Sequence, residues 1–126
     1  MRFEVGVRGA FRATHALHGD FGPARDPHAH DYRIDVAVQG DRLRADGTLC
    51  DIVLLRDTLA SATRELDGAR LDALAAFRER NSTAEEVARH VAAAIGSALP
   101  KDGLRRLVVR VWESPDAYAS CEHELP

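Results

Sequence analysis

The sequence predicts an α+β domain: a four-stranded antiparallel sheet carrying two helices on one face. Three observations predict it. Apolar residues alternate by two over roughly the first forty positions, they take helical spacing through the middle, and they alternate again from Leu107. The length of 126 residues suits one domain spanning 1–126 with one core.

The first strand is read from Phe3, Val5, Val7, Phe11, Ala13, His15 and Leu17 on one parity, with Arg2, Glu4, Arg8 and Arg12 on the other. Turn residues follow at Gly19-Asp20-Phe21-Gly22-Pro23. A second alternating run places Tyr32, Ile34, Val36 and Val38 on one face, so the two runs form a long hairpin. Leu55, Leu59, Ala62 and Leu66 recur at four, three and four, which is one face of a helix. Ser82 with Glu85, or Thr83 with Glu86, offers a capping box that starts a second helix. That helix buries Val87, Val91, Ile95 and Leu99, and Pro100 and Gly103 end it. Leu107, Val109 and Val111 return the chain to strand, and a short last strand covers Tyr118 to Glu122. So thin a core predicts association into a homo-oligomer.

Composition narrows the function classes. A net charge of −3, with 29% charged residues of both signs interspersed, argues against an electrostatic nucleic-acid binder. No apolar run approaches the roughly 20 residues that span a bilayer, and the start at Met1-Arg2-Phe3-Glu4 lacks a signal peptide's apolar stretch. Two cysteines, Cys50 and Cys121, are too few for a disulfide framework or a cysteine-type zinc site. The expectation is a reduced, cytoplasmic, soluble domain without nucleic-acid or membrane partners. Cys50 reads as packing, His90 as surface and His123 as a frayed tail.

The histidines carry the chemistry. His28 and His30 lie two apart at the start of the second strand, so both project to the face that carries Tyr32, Ile34 and Val36. His15 is in phase with Phe3, Val7 and Phe11 on the neighbouring strand and faces the same interior. Three neutral imidazoles with one open position make a coordination set for catalytic Zn2+. Glu113 continues the parity of Leu107, Val109 and Val111, so a carboxylate ends a buried strand face. A carboxylate so placed is costly without a partner, which points to ligand or cation binding.

These residues carry a family resemblance. Phe11-Arg12-Ala13-Thr14-His15 resembles the F-x-A-x-H signature of the 6-pyruvoyltetrahydropterin synthase and 6-carboxytetrahydropterin synthase family, and His28-Ala29-His30-Asp31-Tyr32 resembles its H-G-H-x-Y. Thr48-Leu49-Cys50-Asp51 is similar to the family's strand-to-helix junction, Asn81-Ser82-Thr83-Ala84-Glu85 to N-P-T-x-E, and Trp112-Glu113-Ser114-Pro115 to the closing E-T-P segment. The resemblance implies the tunnelling fold, with trimers closing into a barrel and two trimers forming a hexamer. It implies zinc on His15, His28 and His30, and a pterin whose 2-amino and N3 edge is gripped by Glu113. Asp51 and Thr83 would help shape the pocket.

Two positions depart from the pattern. Ala24 stands where the family has its catalytic cysteine, four residues before the first histidine of H-G-H. Gly68 stands where a histidine follows the aspartate, leaving Asp67 of Leu66-Asp67-Gly68. Asp67 and Asp26 are the candidate catalytic carboxylates, and His18 and Asp20 lie in the turn facing Asp26. The expected activity is a zinc-dependent lyase acting on a substrate like dihydroneopterin triphosphate. The alternatives are a homologue recruited to another zinc-assisted dehydration, cyclisation or aldol-type reaction, and a catalytically silent ligand-binding homologue.

Overall fold

One long hairpin organises the molecule. Strand β1 (Phe3–His15) and strand β2 (His28–Gly40) pair antiparallel from Phe3 against Gly40 to His15 against His28. The computed structural model describes residues 1–126. Strand β3 (Leu104–Ser114) pairs antiparallel with β2, and β4 (Ala117–Glu124) pairs antiparallel with β3, giving the sheet order β1-β2-β3-β4. Helix α1 (Ile52–Thr63) lies over β1, helix α2 (Ala84–Ala98) lies over β3 and β4, and the two helices touch.

Strand alternation sends Phe11, Tyr32, Ile34, Val36, Leu107, Val109 and Val111 to the helix side, where they are buried. Val87, Val91 and Ile95 descend from α2, and Leu55 and Leu59 from α1. Phe11 stacks on its cross-strand partner Tyr32 with centroids 4.8 Å apart. Gly9 permits the close seating of α1, since a Cβ there would lie 3.2 Å from Leu59 Cδ2. No helix is long and apolar enough to cross a membrane.

Several boundaries differ from the sequence expectation. Strand β1 ends at His15 rather than Leu17. Helix α1 stops at Thr63, and Leu66, expected on its apolar face, is buried in the turn beyond it. The next residues are drawn to the outer edge of β1, where Gly68 N–H donates to the Arg12 carbonyl (2.7 Å) and Thr14 N–H to the Ala69 carbonyl (3.0 Å). This segment blunts part of an otherwise open strand edge. Of the two capping readings, Thr83 is the cap: its hydroxyl accepts from Glu86 N–H at 3.2 Å, with Glu85 and Glu86 in the favourable first turn. His123 is not frayed. It lies within β4, close enough to α2 that a Cβ on Gly96 would come 3.0 Å from its ring.

The opposite sheet face is polar. Arg8 Nε donates to Asp35 at 2.6 Å, and Trp112 Nε1–H donates to the other Asp35 oxygen at 2.9 Å. Burial alone would raise the Asp35 carboxyl, but these two hydrogen bonds and the charges of Arg8 and Arg110 outweigh it and hold it below the ordinary carboxylate range. The unfolded chain therefore takes up this proton first as pH falls. The contribution is full above the ordinary value of about 4 and is lost as pH drops through the folded value. Urea midpoints measured from neutral pH down to about pH 3 will fall more steeply for the native protein than for Asp35→Asn, which carries no such proton.

Candidate metal centre

The register of the hairpin builds the site. His15 faces His28 directly across the strand pair, and His30 lies opposite Ala13, so three imidazoles gather at the loop end of β1 and β2. Ring centroids are 4.5 Å apart for His15–His28, 5.0 Å for His15–His30 and 4.8 Å for His28–His30, and the planes stand 65° to 89° to one another. One ligand nitrogen from each lies within 4.8 Å of the other two. Edge-on rings turned toward a shared point suit a common ion better than mutual stacking does.

Backbone carbonyls decide which nitrogen each ring presents. His15 Nδ1 lies 2.7 Å from the Ser82 carbonyl, and His28 Nδ1 lies 2.7 Å from the Asp26 carbonyl. A carbonyl only accepts, so both Nδ1 atoms carry the hydrogen and both Nε2 lone pairs are free. His15 is 1% exposed, yet its Nε2 is buried without a hydrogen-bond partner. An orphaned acceptor of this kind is costly in a native interior, and a cation relieves it. Desolvation lowers the His30 pKa most, with His15 and His28 adding to the fall, while Glu113 opposes it through its charge and its backbone. The neutral, ligand-competent ring is thereby favoured. The donor set fits Zn2+: three imidazole nitrogens within 4.8 Å of one another, two of the rings held from behind by backbone carbonyls.

Glu113 arrives one residue after Trp112, whose partner is Arg33, and so lies alongside His30 and Tyr32. A cleft of about 460 Å3 opens here, with His30, Glu113, Arg8, Arg33, Trp112 and Pro115 among its walls. Tyr32, expected only as core, has a buried hydroxyl without a partner. Burial first, then the carboxylates of Glu113 and Asp72, push its pKa above the ordinary tyrosine value, so it stays a neutral phenol.

The remaining candidates are distributed around this centre. Thr83 follows Ser82, whose carbonyl holds His15, and its own hydroxyl is engaged in capping α2. Asp26 sits beside His28 in the hairpin loop, with its carbonyl on that ring and its side chain exposed. Ala24 lies on the short 3-10 turn Gly22–Arg25, folded back so that Leu17 N–H donates to its carbonyl at 2.9 Å. Asp67 is bound at the outer edge of β1, accepting from Arg12 N–H at 3.0 Å, on the side away from β2. Asp51 caps α1 by accepting from Val53 and Leu54 N–H, near the Gly40 end of the hairpin where Leu49 packs. A single chain thus gathers His15, His28, His30, Glu113, Thr83 and Asp26 at one end, with Asp67 on the outer edge of β1 at Arg12, three residues from His15, and holds Asp51 near the other end.

Sequence reasoning missed Asp72 and Ser82. Ser82 is fully buried and its hydroxyl donates to Asp72 Oδ1 at 2.7 Å, while Asp72 Oδ2 accepts from Ala16 N–H at 2.8 Å. The overlapping capping boxes were the only hint, since one of two adjacent hydroxyls had to be spare. Cys50 packs against the core, and burial leads in raising its thiol pKa, with Asp51 adding to the rise and Arg44 opposing it.

Solved structures of the same architecture bear names consistent with this geometry. Caenorhabditis elegans 6-pyruvoyl tetrahydropterin synthase aligns with a TM-score of 0.83 at 20% identity, covering 98% of this chain and 96% of that one. The Plasmodium falciparum 6-pyruvoyl tetrahydropterin synthase aligns with a TM-score of 0.82 at 17% identity, covering 98% of each chain. A Plasmodium vivax 6-pyruvoyltetrahydropterin synthase with a catalytic glutamate changed to cysteine gives 0.81 at 15% identity, covering 98% of this chain and 99% of that one. At these identities the likeness establishes the fold. No curated protein matches the chain. The sequence model of one family, 6-pyruvoyl tetrahydropterin synthase, extends over residues 4–124, and the chain belongs to that family.

Proposed function

We propose that the chain is a zinc-dependent lyase acting on a dihydroneopterin-triphosphate-like or related nitrogen heterocycle. Family membership supports a pterin-related lyase, and one observation carries the finer reading: three imidazoles converge with the buried Nε2 of His15 left unpartnered. His15, His28 and His30 would hold Zn2+, which when bound supplies Lewis-acid polarisation of the substrate side chain. Glu113 accepts two parallel N–H bonds from the guanidine-like edge of the heterocycle and fixes its orientation beside His30. Asp26, on the loop next to His28, is the candidate base. In the Plasmodium vivax relative the catalytic residue is likewise a carboxylate. Asp51 would reach a pocket from a neighbouring subunit, in a hexamer of two trimers, since within one chain it lies toward the other end of the hairpin; Asp67, on the outer edge of β1, is the second candidate catalytic carboxylate. Free Cys50 and Cys121 accord with a reduced, cytoplasmic setting.

Purified protein should carry about one zinc per chain by elemental analysis, and His30→Ala should lose it. Incubation with 7,8-dihydroneopterin triphosphate, followed by product mass, tests the reaction. Zinc without turnover would reject the synthase chemistry. That outcome would favour a homologue recruited to another reaction or a silent binder, the readings that Ala24 and Gly68 support by removing a thiol and an imidazole from the family's positions.

Glu113→Gln should raise KM about 10- to 100-fold with zinc retained, the weight of a hydrogen-bonded charged contact. Asp26→Ala keeps the carbonyl that holds His28, so kcat should fall about 10²- to 10⁴-fold at unchanged zinc content. An unaltered kcat in Asp26→Ala removes that residue from the reaction.

A further inference from the structure

Behind His15 lies a chain of hydrogen bonds with a defined direction. Asp72 Oδ1 accepts the Ser82 hydroxyl proton at 2.7 Å. With its own hydrogen committed there, the Ser82 oxygen turns lone pairs toward His15 Nδ1, 3.3 Å away, and the Ser82 carbonyl stands 2.7 Å from the same nitrogen. The second Asp72 oxygen takes Ala16 N–H at 2.8 Å, tying the residue after His15 to the same carboxylate. Ser82 is wholly buried, so water does not compete for its hydroxyl. The next turn is stapled as well. Asn81 accepts from His18 N–H and donates to the His18 carbonyl, both at 2.9 Å.

We propose that Asp72 and Ser82 are positioning residues that lock His15 in its Nδ1–H tautomer, with Nε2 presented to the metal. His15 Nδ1 faces the Ser82 carbonyl and, beside it, the Ser82 hydroxyl that Asp72 orients. His28 has only the Asp26 carbonyl behind it. The resembling N-P-T-x-E segment has proline at the position of Ser82, and proline carries no hydroxyl to serve this way. Supporting groups behind a ligating histidine fix its orientation and raise its basicity, and their loss typically costs 10- to 100-fold in metal affinity. The inference rests on the zinc reading for its effect on affinity. Its structural half concerns the metal-free protein alone.

Two measurements test it. Nitrogen-15 spectra of metal-free protein, at a pH where the imidazoles are neutral, should show His15 as the Nδ1–H tautomer. In Asp72→Ala and Ser82→Ala the Ser82 carbonyl still faces Nδ1, so the preference should weaken at His15 without vanishing and stay unchanged at His28, a contrast that general loosening of the fold would not produce. Chelator competition should show zinc affinity falling about 10- to 100-fold in Asp72→Ala and less in Ser82→Ala, which retains the carbonyl. Asp72→Asn should restore part of it, since an amide oxygen still accepts from Ala16. If Asp72→Ala does not fold, Ser82→Ala decides. A His15 tautomer unchanged in the variants, or a native protein holding the Nε2–H form, overturns the proposal. Native protein that shows the expected tautomer but binds no zinc refutes the metal reading and leaves the positioning pair standing.

Discussion

The register between β1 and β2 is the constraint on which everything else rests. Thirteen consecutive pairs run from Phe3–Gly40 to His15–His28 without a break. Because side chains alternate across a strand, a slip of one residue would turn His28, His30, Tyr32, Ile34, Val36 and Val38 to the opposite face together. The same pairing that buries the aliphatic run therefore assembles the histidines. Burial of Ile34, Val36 and Val38 at the hairpin's middle fixes where its far end presents imidazole. The core holds the ligands in phase, and no local device at the loop has to do so.

Period and parity explain how much could be read from the chain itself. The strands and the second helix were legible because Phe3 to His15, Tyr32 to Val38, and Val87, Val91 and Ile95 each serve one face throughout. The three histidines were legible for the same reason, being members of an alternating series. The end of α1 was not. Leu66 keeps the helical spacing, yet the helix has stopped at Thr63 because the backbone of residues 67–69 is captured by the edge of β1. Capture by a distant strand leaves no local mark in sequence. Asp72 was hidden likewise: its partners Ala16 and Ser82 lie 56 and 10 residues away, and nothing around Asp72 distinguishes it from a solvated turn residue.

The family assignment and the departures from its pattern bear on different layers of the molecule. The fold is that of solved 6-pyruvoyl tetrahydropterin synthases. Ala24 lies on a 3-10 turn in the hairpin loop and Gly68 at an exposed bend with φ of 75°, both outside the buried cluster. That bend is also where the chain leaves α1 for the edge of β1, and a glycine accepts its backbone conformation without strain. Glycine at this position thus has a local conformational rationale of its own.

The location of the centre at one tip of the sheet has an evolutionary reading. The interior that makes the protein fold is filled from its middle by residues such as Ile34, Leu107 and Ile95, while the groups that would handle protons ride on turns at the periphery. Replacements at those turns are invisible to the interior. A lineage built on this scaffold can rewrite its chemistry one loop residue at a time and keep a foldable protein at every step.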